Sequence, residues 1–410
     1  MLNSIFKKSP VIVLFFVVFI SQTSYGQWKF ADSINMTSEN YSLNFKEIND
    51  IVKKKYSHLK RKKIDLDALL SNVNQKISVS KTKEEYFQCL LYYFSELKNS
   101  HSRLFLDDYG INCSAKLIQN RLFLERIEDD TFIENGIQFG DEIVEIDHIQ
   151  MSKWLESQLN YTSSSTYEGD MNAVVLFKVF SSTFKDVRTY SIKTSSGIKQ
   201  VKVNLVNPAD YSHLLFRNQR KASGKILNKE TAYIEIKSMT GKVVQDFIKV
   251  YDTLNNYPNL IIDIRRNSGG NSDYSEQIAS YLMHRRMRAC VSRKKINPKP
   301  NSYKGNIYVL TDVFTGSAAE SFALDLHESG NVVLVGSQTN GDTGNLPKVF
   351  TTSFGLSFSI PTRKPAQISF KEFPMEGIGI PPHYSIEQTI KDYINNIDTV
   401  LEYTLNLIEK

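Results

Sequence analysis

Apolar positions along this chain fall into three successive textures. Phe45, Ile48, Ile51 and Val52, then Tyr86, Leu90, Tyr93, Phe94 and Leu97, recur every three to four residues. That is the spacing of one helix face, so residues 44–97 predict a small helical region. Near residue 111 the period shortens. Residues 121–127 alternate apolar and polar, as a half-buried strand does, and residues 143–146 predict a second strand behind two turn glycines, Gly136 and Gly140. Residues 190–194 and 199–205, joined by Ser195-Ser196-Gly197, predict a hairpin. Two polar stretches, 161–169 and 207–224, read as connections.

The third texture alternates strand and helix patterns. Strands are expected at 231–236, 260–264, 307–310 and 332–335, with helices at 243–254, 273–287 and 317–327. Short turns between such elements imply right-handed crossovers and a largely parallel sheet. Further β-like segments cover 349–360, and one amphipathic helix is expected from 385 to 408. A chain of 410 residues exceeds one hydrophobic core. The textures divide it into 1–26, 27–103, 104–165, 166–224 and 225–410.

Residues 1–26 form a separate kind of segment. Lys7 and Lys8 precede an unbroken apolar run, 11–20, and small residues Ser24 and Gly26 follow. This is the pattern of a secretory signal peptide cut before Gln27, which places the mature protein in the periplasm or outside the cell. The run is too short for a stable membrane span, which needs ~20 residues. The first residue after the cut is Gln27 and not a cysteine, which argues against a lipid anchor. Cys89, Cys113 and Cys290 are widely spaced, so they allow one disulfide or none and show no metal-ligand spacing.

Composition changes the picture little. With 41% hydrophobic and 23% charged residues, disorder is not the default. The net charge of +6 is dispersed apart from one cluster, Lys53–Lys55 with Lys60, Arg61, Lys62 and Lys63. This cluster reads as a solvated face and does not suffice for nucleic-acid binding.

Candidate chemistry lies at two strand-to-helix turns. The first, Leu260-Ile-Ile-Asp-Ile-Arg-Arg-Asn-Ser-Gly-Gly270, ends in a Gly pair; without a following Lys-Ser or Lys-Thr it is not a nucleotide loop. The second, Thr315-Gly-Ser-Ala-Ala-Glu320, places Ser317 at a helix start. A serine there is ordinarily an N-cap, and Glu320 the fourth member of a capping box. Gly316, the small Ala318 and Ala319, and the position at the end of a central strand favour a nucleophile instead. Main-chain N–H groups at Gly269, Gly270 and Ala318 are then candidates to bind an oxyanion. Asp263 and Arg265, on the preceding strand, read as an ion pair or as cleft residues. A serine nucleophile needs a base. His327 is ten residues along the same helix, roughly 15 Å away. His101, in the polar turn Asn99-Ser-His-Ser102, is better placed.

These blocks occur in one order with Gly140-Asp-Glu-Ile143 and Val333-Leu-Val-Gly336. The series resembles the C-terminal-processing (tail-specific) peptidase family, with its tricorn-core and interphotoreceptor retinoid-binding relatives, from about residue 45 to 385. The resemblance implies a crotonase/ClpP-like α/β domain of β-β-α units, a helical N-terminal region and a PDZ-like module. That module departs from the pattern at His148, where a glycine is usual. One branch of the family uses a Ser–Lys dyad whose lysine closes a Thr-x-Gly-Lys string. Here the string is Thr339-Asn-Gly-Asp342, and Lys348 and Lys364 are out of register. The tricorn-like branch has Ser before His and a distant Glu before Gly-x-Gly-x-x-Pro, matched by Ser100, His101 and Glu376; His383 departs from the usual Asp. The resemblance therefore implies a serine endopeptidase with catalytic Ser317, His101, Ser100 and Glu376, Ser100 linking His101 to Glu376. It would cut peptides or unfolded protein ends without metal or organic cofactor. An inactive binding protein on the same scaffold, or an esterase, are the alternatives.

Overall fold

In the computed structural model, residues 36–106, 108–206, 221–330, 332–342, 347–362 and 376–410 are described. The expected signal peptide and Lys364 lie outside these residues.

The helical pattern resolves into Ser38–Lys55, Leu66–Val79 and Lys83–Ser95. Their starts are set by side chains. Asp65 accepts from the Ala68 N–H, and Thr82 and Glu85 form a reciprocal capping box. Their apolar faces do not close on each other alone. Phe45, Tyr86, Tyr93 and Phe94 share a core with Leu356, Phe358 and Ile360. Those three come from the hairpin Pro347–Thr351/Ser357–Pro361, more than 250 residues later. The short strand Arg103–Leu104 pairs with the same hairpin, Arg103 opposite Ser359. The helical region is thereby attached to the distant α/β domain through His101's own neighbourhood.

The middle of the chain is an antiparallel sheet in the order Cys113–Ile118, Arg121–Ile127, Glu142–Ile146, Val187–Thr194, Gly197–Asn204. The strand Val187–Thr194 pairs directly with Glu142–Ile146, so the expected hairpin and the Gly-Asp-Glu-Ile strand share one sheet. Asp147 and His148 form the two-residue turn between Ile146 and Ile149, both at positive φ (51° and 62°). Such a turn favours Gly, and His148 holds it at some strain. A helix, Tyr167–Phe177, was not anticipated. Thr166 caps it by accepting from the Gly169 N–H, and a Ser/Thr-rich stretch read as a connection is in part its cap.

The α/β domain contains one sheet whose order follows the chain: Ala222–Ile226, Thr231–Ile236, Asn259–Asp263, Asn306–Thr311, Val332–Gly336, Tyr384–Ser385. All pairings after the first are parallel, as the alternation predicted. Alternate residues serve opposite faces. Leu260, Ile262, Val309 and Leu334 join Phe247, Ile278 and Phe322 of the helices Val243–Leu254, Ser272–Ala279 and Ala318–Ser329. Ile261, Leu310 and Val335 pack on the other face against Val400. Burial on both faces explains why the strands read as unbroken apolar runs.

Two expected helices are shorter than predicted. The one expected at 273–287 ends at Ala279. The C-terminal one is broken into Ile390–Ile394 and Thr399–Ile408, with Asn396 at φ 57° and Asp398 capping the second piece. Asp398 also binds Arg265, which binds Asp263, so Asp263 and Arg265 are a structural ion pair. All three cysteines are buried and free. Among the described residues no helix is long and apolar enough to cross a membrane.

Candidate active site

Ser317 ends the turn between Asn306–Thr311 and Ala318–Ser329. Asp312 builds that turn: Oδ1 accepts from the N–H groups of Arg266, Phe314 and Thr315. The chain then passes through Ser317 at φ 51°, ψ −118°. A non-glycine residue in that region is strained by its Cβ, and such strain concentrates at functional sites. A strained serine on a sharp strand-to-helix turn is one way to present a hydroxyl at the top of a sheet. Glu320 holds the turn from within. Fully buried, its carboxylate accepts from the N–H groups of Ser317, Gly341 and Asp342 and from the Thr339 hydroxyl. Burial pushes its carboxyl up to about 8 against the pull of those donors. The capping-box expectation is met, but the residue also fixes the 339–342 loop.

The Gly pair lies against this turn. A Cβ on Gly269 would stand 2.8 Å from the Ala318 nitrogen and from Ser317 Cβ, and one on Gly270 would stand 2.1 Å from the Met239 carbonyl oxygen. Only glycine fits either place. The Gly269 N–H donates to Asn267 Oδ1 at 2.9 Å and is therefore engaged. The N–H groups of Gly270 and Ala318 donate to no acceptor among the described residues. The candidate oxyanion donors thus reduce from three to two.

His101 is carried by the turn after Lys83–Ser95. The Asn99 side chain accepts from the His101 N–H, and Ser359 Oγ donates to the His101 carbonyl at 2.8 Å. The imidazole is 11% exposed, and Nδ1 lies 3.4 Å from Asp342 Oδ1. Asp342 is also the residue whose carbonyl accepts from the Ser317 N–H at 3.2 Å. Ser317 and His101 therefore border one residue, Asp342, which stands where the Ser–Lys branch of the family has its lysine. Ser100 does not join His101 to Glu376: its carbonyl accepts from Arg103, and its hydroxyl bonds to no other described residue.

Asn99 and Ser165 make the link instead. Asn99 Nδ2 donates to Asp342 Oδ1 at 2.9 Å and to Glu376 Oε1 at 3.1 Å. Ser165 Oγ lies 3.0 Å from both. Glu376 also pairs with Lys62, whose side chain is 9% exposed. The solvated-face expectation therefore fails for Lys62. Burial and the Asp342 charge push the Glu376 carboxyl up, with Lys62 and Asn99 pulling back. Asp342 moves the other way: burial opposes its charge, but His101 and Lys62 hold it below the usual carboxylate range. Where two carboxylates share a site, such divergence is expected. Lys348 is exposed on the hairpin, over the Phe350 ring. His383 is elsewhere, stacked on His327 and accepting from the Leu334 N–H. Burial at Asp342 was hinted at only by a charged residue standing where one branch of the family has its lysine. Nothing in the basic run marked Lys62, because its partner is over 300 residues away.

Comparison with known proteins bears on the family and the fold. Residues 230–386 match Peptidase family S41, and residues 117–205 match the Bacteroidetes S41-family N-terminal domain. The family read from the motifs is thus borne out. The chain is 28% identical over 184 residues to the tricorn protease of Thermoplasma acidophilum, covering 43% of this chain. It is 25% identical over 280 residues to the tricorn protease of Thermoplasma volcanium, covering 66% of this chain. These matches span only 17% and 24% of those longer proteins. The crystal structure of mature CPAF shares the fold with a TM-score of 0.72 at 15% identity, covering 91% of this chain and 98% of that one.

Proposed function

We propose, for a chain that carries a peptidase family S41 domain, that it is an exported serine endopeptidase acting on peptides or unfolded protein ends. The observation that carries this reading is the position of Asp342, between the main chain of the strained Ser317 and the imidazole of His101. An Nδ1–H directed at Asp342 leaves Nε2 of His101 as the base. Ser317 Oγ attacks the scissile carbonyl carbon while its proton passes to Nε2. The resulting oxyanion is held by the N–H groups of Gly270 and Ala318; loss of one such donor costs about 3 kcal/mol. Collapse of the intermediate breaks the C–N bond, and the amine leaves with the proton from His101. Water, deprotonated by the same nitrogen, then releases the acyl group. Asp342 orients the ring and stabilises the imidazolium.

Glu376 acts behind Asp342 in this scheme, with Asn99 and Ser165 between them. The PDZ-like module expected at residues 104–165, whose strands share a sheet with Val187–Thr194 and Gly197–Asn204, is proposed to present the substrate chain; it is the feature favouring peptides over small esters. Export rests on the apolar run 11–20. The test is hydrolysis of an unstructured protein such as casein, beside labelling by a fluorophosphonate. Wild-type protein should cut casein and be labelled at Ser317, and Ser317→Ala should do neither. Turnover of aryl esters without casein cleavage would support an esterase. Absence of both activities and of labelling would support a binding protein on this scaffold.

A further inference from the structure

Lys62 belongs to the turn after the first helix, in a run of basic residues, yet it is buried at the site. Its ammonium lies 2.5 Å from Glu376 Oε1 and 3.2 Å from Ser165 Oγ, and it also donates to the Lys98 carbonyl. Lysine is almost never buried unless its charge is paired. Two carboxylates meet here, since Asn99 Nδ2 and Ser165 Oγ each reach both Asp342 and Glu376. Asp342 Oδ2 and Glu376 Oε2 are buried with no hydrogen-bond partner among the described residues. Neighbouring carboxylates in a low-dielectric interior cannot both remain ionised unless a cation or strong donors hold them.

We propose that Lys62 is a positioning residue: its fixed positive charge lets Glu376 and Asp342 be buried side by side, so that Asp342 faces His101 as an anion. The proposal rests on the reading of Ser317 and His101 as nucleophile and base. The lysine acts through Glu376 and touches no reacting atom. It also joins the helical region to the α/β domain at the point where both contribute to the site.

The other titratable groups that face this cluster are Tyr56, His58, His101, Arg103, Asp170 and Glu320. Removing a neighbouring cation makes every one of them, and both carboxylates, bind protons more readily. The acid limb of the pH–rate profile therefore moves to higher pH in Lys62→Met, by about one unit or more. The double variant Lys62→Met/Glu376→Gln removes the carboxylate that needed the cation, so its acid limb returns towards wild type.

The rate of Ser317 labelling by a fluorophosphonate, followed against pH, measures this directly. A Lys62→Met protein that loses reactivity with an unmoved acid limb overturns the proposal, as does a double variant no better than the single one. The denaturant midpoint, compared at pH 7 and pH 4, gives a second readout that needs no activity. Lys62→Met should lower it at pH 7, where both carboxylates carry charge, and much less at pH 4, and the double variant should recover it at pH 7. If wild-type protein neither labels nor hydrolyses, the peptidase reading fails, and the unfolding midpoints alone decide whether Lys62 holds the pair.

Discussion

Ser317 keeps a φ of 51° that a side chain with a Cβ disfavours, and Glu320 keeps it there. The strain is tolerated because four donors converge on one buried carboxylate. Replacing Ser317 with Ala should abolish hydrolysis and leave the thermal midpoint within a degree or two of wild type. His101→Ala should be nearly as damaging, whereas Lys348→Ala, on an exposed strand, should retain full activity. Asp342→Asn should lower kcat by roughly 10³–10⁴-fold with little change in KM, because the amide can stabilise the wrong imidazole tautomer. His58 offers a pH test. Burial first, then the Lys62 ammonium, pulls it down to about 4. Its folded pKa is below its unfolded value near 6.5, so the unfolded chain binds the proton more tightly. The stability from a neutral His58 is present above about 6.5 and is lost as pH falls through 4. Thermal midpoints measured between pH 7 and pH 4 should fall more steeply in wild type than in His58→Gln. At this scale the Ser317 turn, the Gly pair and His101 are readable as motifs. The surroundings of Asp342 are not, because they depend on which side chain it meets.

Among the elements, the hairpin Pro347–Thr351/Ser357–Pro361 ties the helical region to the His101 turn. It pairs with Arg103–Leu104, Ser359 bonds the His101 carbonyl, and Phe358 enters the core of the helical region. Phe358→Ala should cost ~3–5 kcal/mol of stability in denaturant unfolding. It should also reduce kcat, since the strand that aligns His101 loses its anchor. Helices and strands with a strong period were legible, and Thr231–Ile236 and Val243–Leu254 were anticipated to the residue. The C-terminal helix was not. Its amphipathic pattern runs through the Asn395–Asp398 break, because tertiary bonds from Asp398 to Arg265 favour a fresh start there. Tyr167–Phe177 was missed for a related reason. Its cap lies in a Ser/Thr-rich stretch, and composition alone cannot separate a cap from a loop.

In the whole molecule, the site is a junction. The front of the chain supplies Lys62, Asn99 and His101, the middle supplies Ser165, and the α/β domain supplies Ser317, Asp342 and Glu376. The helical region and the α/β domain also share one core through Leu356, Phe358 and Ile360. They should therefore unfold together. Calorimetry should show no separate early transition for the helical region, and loss of fluorophosphonate labelling should coincide with loss of helical circular dichroism. Two resolved transitions, with labelling lost at the first, would mean that the shared core is weaker than its burial suggests.

Local chemistry is written in short stretches: helix periods, fully apolar strands, a Gly pair, a serine before two alanines. Those stretches carried the family resemblance, the α/β architecture and three of the candidate groups, because each depends on residues within a turn or two of one another. The pairing of His101 with Asp342 and the burial of Lys62 against Glu376 came from elsewhere. They depend on desolvation and on contacts between segments more than two hundred, and in one case more than three hundred, residues apart. A charged residue looks the same in a sequence whether it meets water or a partner, and folding alone selects between the two.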